Sequence, residues 1–175
     1  MNTQRILTKD PKFFIRPAVS GDAGLVLKLI RELAEYERLA HEVVATEASI
    51  EESLFGPRRC AEAILGFHHD HSGEEHLVGF AVFFHSFSTF LGRPGMYLED
   101  LFVRPDFRAQ GFGRIMISYV AKLAMERGCG RFEWSVLDWN EPALRFYRSI
   151  GAQPMEEWTV QRLTGEALQE LAAQF

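Results

Sequence analysis

Three strand-like segments follow one another in this chain with no helical pattern between them. They cover residues 61–69, 76–88 and 95–103, and each is rich in aromatic and aliphatic side chains. The polar stretch DHSGEE at 70–75 is typical of a turn, so the first two segments are predicted to form a hairpin. Strands joined by short connections pair antiparallel. This order therefore predicts a sheet whose middle is antiparallel.

Strand and helix patterns surround this antiparallel part. Upstream, the sequence predicts a strand at 13–17, a helix with Ser20 or Asp22 as N-cap, and a shorter helix capped by Thr46. Downstream it predicts a helix from Gly113, a strand at 131–137, a helix between Asn140 and Gly151, a last strand at 156–163 and a short polar helix. The later β-α-β units add parallel pairing, so we expect an α/β fold (α+β, with a mixed sheet).

Length and charge limit the possible functions. The 175 residues fit one domain, 1–175, with 1–11 as a loose leader that lacks the apolar core of a signal peptide. A net charge of −5 argues against a broad nucleic-acid footprint, and no apolar run approaches the roughly 20 residues needed to span a bilayer. Cys60 and Cys129 form no CxxC pair, which favours reduced thiols in a cytoplasmic protein.

A glycine-containing loop at 99–116, EDLFVRPDFRAQGFGRIM, precedes the third predicted helix. A Walker A loop requires Lys and Ser or Thr after its last glycine, but Arg114 and Ile115 follow Gly113. A dinucleotide fingerprint requires a third glycine where this chain has Met116. Neither of these two phosphate-binding motifs is therefore present.

What remains is the pattern Arg108-x-x-Gly111-x-Gly113 at the start of a helix. Glycines leave backbone N–H groups open to a ligand, and the first N–H groups of a helix lack partners and lie at its positive end. Such a loop can bind a pyrophosphate, with Arg108 and Arg114 adding charge-assisted hydrogen bonds. The alternative is a turn that uses glycine only for its backbone conformation.

The surrounding sequence resembles the GNAT family of N-acetyltransferases. Arg108, Gly111 and Gly113 match the family's acetyl-CoA loop, and Asn140, Tyr147, Gly151 and Ala152 match its later motif. IRPA at 15–18, RELAEYE at 31–37, YLED at 97–100 and LDWNEP at 137–142 are similar to the diamine and thialysine acetyltransferase branch. The resemblance covers about residues 12–165. It implies a mostly antiparallel twisted sheet, splayed between its fourth and fifth strands, with helices on both faces.

The resemblance also implies acetyl-CoA as co-substrate, a small-molecule amine as acceptor, a homodimer and no metal. It assigns the cofactor to a set of residues along the fourth strand, the loop and the late helix: Leu101, Phe102, Val103, Arg108, Gln110, Gly111, Phe112, Gly113, Arg114, Asn140 and Tyr147. Asn140 is equally interpretable as the cap of its helix. The residues that it assigns to the amine are Tyr36, Glu37, Glu99, Asp100 and Trp158, the last of which can reach a partner subunit in this branch.

Acetyl transfer to an amine needs a base near the amine and an acid near the departing sulfur. Tyr147 is the candidate acid, because a phenol with a pKa near 10 is protonated at neutral pH. Glu99 is the candidate base, acting through water. The alternative for Tyr147 is an aromatic side chain packed on the inner face of its helix. The alternative for Glu99 is a solvated acid at the end of its strand. Adjacent strand residues point to opposite faces, so Glu99 and Asp100 can share a pocket only if a bulge intervenes, as this fold usually provides.

Two features refine the expected acceptor. Polyamine-specific relatives have Asp-Pro-Trp where this chain has Ser88-Thr89-Phe90, which favours a thialysine-like amino acid over spermidine. Arg93 is a candidate partner for the carboxylate of such a substrate.

The histidines of HHDH at 68–71 are expected in an exposed turn rather than in a metal site. A protein or peptide N-acetyltransferase and a CoA-binding module without turnover remain the rival functions.

Overall fold

The computed structural model describes residues 4–175, which form two compact units. The first unit runs through Ser135 and the second comprises Val136–Phe175. Six strands and five α-helices are present in this described range: β1 (Ile6–Leu7), β2 (Phe13–Pro17), α1 (Ala23–Tyr36), α2 (Glu47–Phe55), β3 (Glu62–His69), β4 (Glu75–Ser88), β5 (Arg93–Val103), α3 (Phe112–Glu126), β6 (Phe132–Trp134), α4 (Glu141–Ser149) and α5 (Gly165–Ala172). Short 3₁₀ turns occupy Ala40–Glu42 and Pro105–Phe107.

The strands form one sheet in the order β1-β2-β3-β4-β5-β6. All neighbouring pairs are antiparallel except β5 and β6, which are parallel. This confirms the predicted mixed sheet. The β5–β6 ladder joins only Met96–Leu98 to Phe132–Trp134, so residues 99–103 of β5 have no partner in β6. This short ladder fits the splay expected between the fourth and fifth predicted strands, which are β5 and β6 in the structure.

Helices cover both faces of the sheet in the first unit. Phe13 and Phe14 are adjacent in β2 and point to opposite faces. Phe14 belongs to the buried cluster that includes Val26 and Leu29 of α1. Phe13 stacks on Phe112, the first residue of α3, with ring centroids 4.3 Å apart. That stack fixes the beginning of α3 against the sheet.

The predicted helix caps are only partly confirmed. Thr46 accepts a hydrogen bond from the amide of Ser49 and completes a capping box at α2. Asp22 is the N-cap residue of α1 but makes no capping hydrogen bond. Its carboxylate instead accepts two hydrogen bonds from Arg16, at 2.6 and 2.9 Å. Asp22 thus ties α1 to β2.

Two segments differ from the expected pattern. Ile6 and Leu7, in the segment predicted to be a loose leader, pair with Ile15 and Phe14. The predicted strand at 156–163 is wrong, because no strand is assigned to Val136–Phe175. A strand is stabilised by hydrogen bonds to a neighbouring strand, and this unit contains none for the segment to pair with. Residues 1–3 of the leader lie outside the described range.

Candidate active site

The connection between β5 and α3 turns through left-handed backbone. Ala109 has a φ of 60° and Gly111 a φ of 84°. Gly111 is the N-cap of α3, and no side chain caps this helix. The amides of Phe112 and Gly113 have no hydrogen-bond acceptor within residues 4–175. Unsatisfied N–H groups at the positive end of a helix are suited to phosphate oxygens, so this turn fits a pyrophosphate.

Arg108, expected at the phosphates, contacts the chain itself. Its Nε donates to the carbonyl oxygen of Val103 at 2.9 Å. Its Cζ lies 4.3 Å from the ring centroid of Tyr36 and 5.6 Å from that of Phe102. The Nη nitrogens are the donors that these contacts leave for a ligand. Nothing in the sequence pattern indicated that Arg108 and Tyr36 would meet.

The other predicted cofactor residues of the first unit lie in β5 and in the loop that follows it. Leu101, Phe102 and Val103 pair with Ala81, Phe80 and Gly79 of β4, on the side away from β6. The side chain of Phe102 is buried in the core, as expected. Gln110 donates from Nε2 to the carbonyl oxygen of Asp106 at 3.4 Å, and the side chain of Arg114 is exposed.

A β-bulge lies at Glu99. Val82 of β4 pairs with Asp100, whereas the next residue, Phe83, pairs with Leu98. Glu99 is therefore the extra residue in β5, which breaks the strict alternation of faces. Glu99 is exposed and Asp100 is half-buried. The predicted bulge between the two acids is confirmed.

The environment of Asp100 changes its ionisation. Burial, followed by the negative charges of Glu99 and Glu37, raises the pKa of Asp100 to about 7. Burial also raises the pKa of Glu37, which follows the last residue of α1. The three carboxylates thus interact around the bulge. A cationic ligand would relieve this repulsion.

Tyr36 and Glu37, at the end of α1, have different neighbours. Glu37 faces the acidic group around Asp100, whereas the ring of Tyr36 stacks on Arg108. The sequence grouped both residues as amine contacts. In the structure Glu37 interacts with these acids, and Tyr36 contacts Arg108.

Arg93 begins β5, six residues before Glu99. At about 3.3 Å per residue, their backbones lie roughly 20 Å apart along the strand. Its suggested role as the partner of a substrate carboxylate stays a prediction.

The second unit contains three of the predicted residues. Asn140 is buried, and its side chain accepts a hydrogen bond from the amide of Ala143 at 3.3 Å, so its capping role is confirmed. Tyr147 is half-buried in α4, with its ring 5.3 Å from that of Phe146. Trp158 is 69% exposed and lies outside any helix or strand.

The histidine-rich segment HHDH lies partly at the end of the strand predicted at 61–69 and partly in the turn that follows it. His68 and His69 end β3, and the turn begins at Asp70. Ligand atoms of Asp70, Glu74 and His76 lie within 4.8 Å of one another. Asp70 accepts hydrogen bonds from Ser72, from the amide of Glu74 and from His76, and those from Ser72 and His76 lower its pKa. These bonds close the β3–β4 hairpin.

Comparisons with known proteins point to one family. A model of the acetyltransferase (GNAT) family matches residues 27–152. The thialysine N-epsilon-acetyltransferase of Bos taurus is 40% identical over 164 residues, covering 90% of this chain and 96% of that protein. The L-ornithine N5-acetyltransferase NATA1 of Arabidopsis thaliana is 36% identical, covering 90% of this chain and 86% of that protein.

Solved structures show the same fold. An integron cassette protein from the mobile metagenome of V. cholerae superposes with a TM-score of 0.75 and 26% identity, covering 92% of this chain and 98% of that one. Within residues 4–175, no helix has both the length and the apolar character to cross a membrane. The family match, the relatives and the fold together show that this chain belongs to the acetyltransferase (GNAT) family and is an acetyltransferase.

Proposed function

We propose that this enzyme transfers the acetyl group of acetyl-CoA to the side-chain primary amine of a small amino acid, with thialysine and ornithine as the leading acceptors. The observation that carries the proposal is the group of carboxylates around the bulge, Glu37, Glu99 and Asp100. An acidic group of this kind favours an ammonium. Diamines and polyamines share that chemistry and are secondary acceptors.

The names of the relatives and one sequence difference support an amino acid. The bovine and plant relatives are named for acetylation at the N-epsilon of thialysine and the N5 of ornithine. Ser88 and Thr89, which replace the acidic segment of polyamine-specific enzymes, end β4 and begin the β4–β5 turn. These positions offer no carboxylate for the far end of a polycation.

The residues of the first unit fit acetyl-CoA. The amides of Phe112 and Gly113 would bind the pyrophosphate, and the backbone of Leu101–Val103 would bind the amide arm where the sheet opens. When bound, acetyl-CoA supplies an acetyl group activated as a thioester. We propose that both units together form one acetyltransferase domain, since the family match runs through both.

The acids at the bulge prepare the amine. A free alkyl ammonium has a pKa of roughly 10, so it must lose a proton before it can attack. Glu99, on the exposed side of the bulge, accepts that proton through water. Asp100 has a pKa near 7, and it holds the ammonium once its own carboxyl group is ionised. Glu37 provides further negative charge on the α1 side.

Tyr147 is proposed as the acid. Its phenol O–H would donate a proton to the sulfur of the departing thiolate. The late motif from Asn140 to Ala152, in which Tyr147 lies, supports this role. Asn140 is proposed to contact the cofactor arm in addition to capping α4.

A cytoplasmic homodimer is the proposed form of the enzyme. The resemblance to the thialysine branch supports it, and so does the exposure of Trp158 in the second unit. Light scattering on the purified protein should give twice the 20.0 kDa chain mass. A mass equal to one chain would contradict the dimer.

An amine panel tests the proposed reaction. CoA release would be measured with thialysine, ornithine, lysine, putrescine, spermidine and an N-terminal peptide. We expect kcat/KM for thialysine or ornithine to exceed that for spermidine by at least about tenfold, a difference of roughly 1.4 kcal/mol. A preference for the peptide would favour a protein acetyltransferase. CoA binding without turnover of any amine would favour a binding module.

A further inference from the structure

The last turns of α1 contact the segment after β5 at two points. The carboxylate of Glu32 accepts two hydrogen bonds from Arg104, and the ring of Tyr36 stacks on Arg108. Residues four apart on a helix lie on the same face, so Glu32 and Tyr36 present one surface. Arg104 and Arg108 lie on either side of the 3₁₀ turn Pro105–Phe107.

The first contact is firmly anchored. Arg104 Nη1 donates to the carbonyl oxygen of Leu77 at 2.9 Å, and the amide of Arg104 donates to the carbonyl oxygen of Val78 at 2.9 Å. Arg104 is thus bonded to α1 and to β4 at the same time. The end of α1 is thereby fixed next to the end of β5.

The second contact restrains an exposed guanidinium. Arg108 is held by the ring of Tyr36, by the ring of Phe102 and by the carbonyl oxygen of Val103. A flexible arginine loses side-chain entropy when it binds a ligand, and prior restraint reduces that loss. The guanidinium is held three residues before Gly111, which caps α3 with its open amides.

We propose that Tyr36 is a positioning residue for the cofactor: its ring holds Arg108 where the guanidinium meets the phosphates of acetyl-CoA. This inference rests on the proposed function and assigns Tyr36 to the cofactor rather than to the amine. The ligand group concerned is the anionic pyrophosphate. The pantetheine arm and the acceptor amine do not depend on this contact.

Calorimetry with coenzyme A tests the inference. A cation–π contact at an exposed site contributes about 0.5–1 kcal/mol, so Tyr36→Leu should raise the Kd about two- to fivefold. Tyr36→Phe keeps the ring and should retain the wild-type Kd. In an Arg108→Ala background, Tyr36→Leu should have no further effect. Thermal melting of each variant would show whether it is folded.

Steady-state kinetics with two acetyl donors separates the possible roles. Acetylpantetheine has the thioester but lacks the nucleotide phosphates, so Tyr36→Leu should raise KM for acetyl-CoA and leave KM for acetylpantetheine unchanged. A rise in the amine KM alone, or an equal effect on both donors, would overturn the inference. Absence of coenzyme A binding by the wild-type protein would instead contradict the proposed function.

Discussion

Glu32 and Arg104 are joined by two hydrogen bonds of 2.7 Å each, which link α1 to the residue that follows β5. Both side chains are largely shielded from solvent, with 29% and 22% exposed. The pair connects the helix that precedes Glu37 with the strand that contains Glu99 and Asp100. The geometry of the acidic group therefore depends on an ion pair outside it.

Glu32→Gln should lower the free energy of unfolding by about 1–2 kcal/mol, because Arg104 would lose a charged partner in a partly buried setting. Urea denaturation measures this change. Glu126→Gln is the matched control, since Glu126 pairs with Lys122 on an exposed helix surface. It should cost less than about 0.5 kcal/mol. Equal costs for the two variants would contradict a special role for the Glu32 pair.

Asp100→Asn should stabilise the fold increasingly as the pH rises. The carboxyl has a pKa of about 7 in the folded protein and about 3.9 in an unfolded chain. Between these values the folded state keeps a proton that the unfolded state has lost, so wild-type stability falls with rising pH. The gain from Asp100→Asn should therefore grow from pH 4 to pH 7 and then level off. Urea midpoints across this range measure it; a constant gain would refute the pKa assignment.

The rate of acetylation should rise through a pH near 7 as Asp100 ionises. Asp100→Asn should abolish that inflection. Glu99→Gln should keep it while lowering kcat by about tenfold or more. The measurement is kcat/KM against pH, because this ratio reports the pKa values of the free enzyme. If the inflection disappeared in Glu99→Gln but remained in Asp100→Asn, the group that titrates would be Glu99 rather than Asp100.

Tyr147→Phe should lower kcat by roughly tenfold or more and leave the Kd for coenzyme A within about twofold, because only proton donation to the sulfur is lost. Tyr119→Phe, on α3, is the control for removing a hydroxyl from a half-buried tyrosine. Stopped-flow or steady-state assays with thialysine would measure the change. Unaltered turnover in Tyr147→Phe would exclude the acid role.

Gly113→Ala should weaken coenzyme A binding without destabilising the fold. A Cβ at this position meets only Val103 Cγ2, at 3.6 Å, which is an ordinary contact. The methyl group would instead narrow the approach to the open amides, raising the Kd about tenfold. Gly111→Ala is the contrasting variant, because its φ of 84° strains any other residue and should cost about 1 kcal/mol of stability. Unchanged affinity in Gly113→Ala would favour a purely conformational role for this glycine.

Local patterns were sufficient to predict most of the secondary structure. Helical periodicity identified α1 and α3, and Thr46 and Asn140 capped their helices as predicted. These signals depend only on neighbours in the sequence. The strand predicted at 156–163 was wrong because a strand-like stretch of sequence does not show that a partner strand exists.

The candidate site was less predictable because its contacts are long-range. The acids of YLED were found from the sequence, but their interaction with Glu37 depends on how α1 packs on the sheet. The stack of Tyr36 on Arg108 joins residues 72 positions apart, as does the pair of Glu32 and Arg104. Contacts of this kind cannot be predicted from the spacing of residues in the sequence.

The three-residue ladder between β5 and β6 has a consequence for acceptor width. The ladder ends at Leu98 and Trp134, and the hydroxyls of Tyr97 and Ser135 lie 2.8 Å apart beside its end. We expect the side chains at this junction to influence how far the strands diverge. Replacing Tyr97 or Ser135 should change the girth of the amine admitted while leaving the hydrogen bonds of the sheet intact.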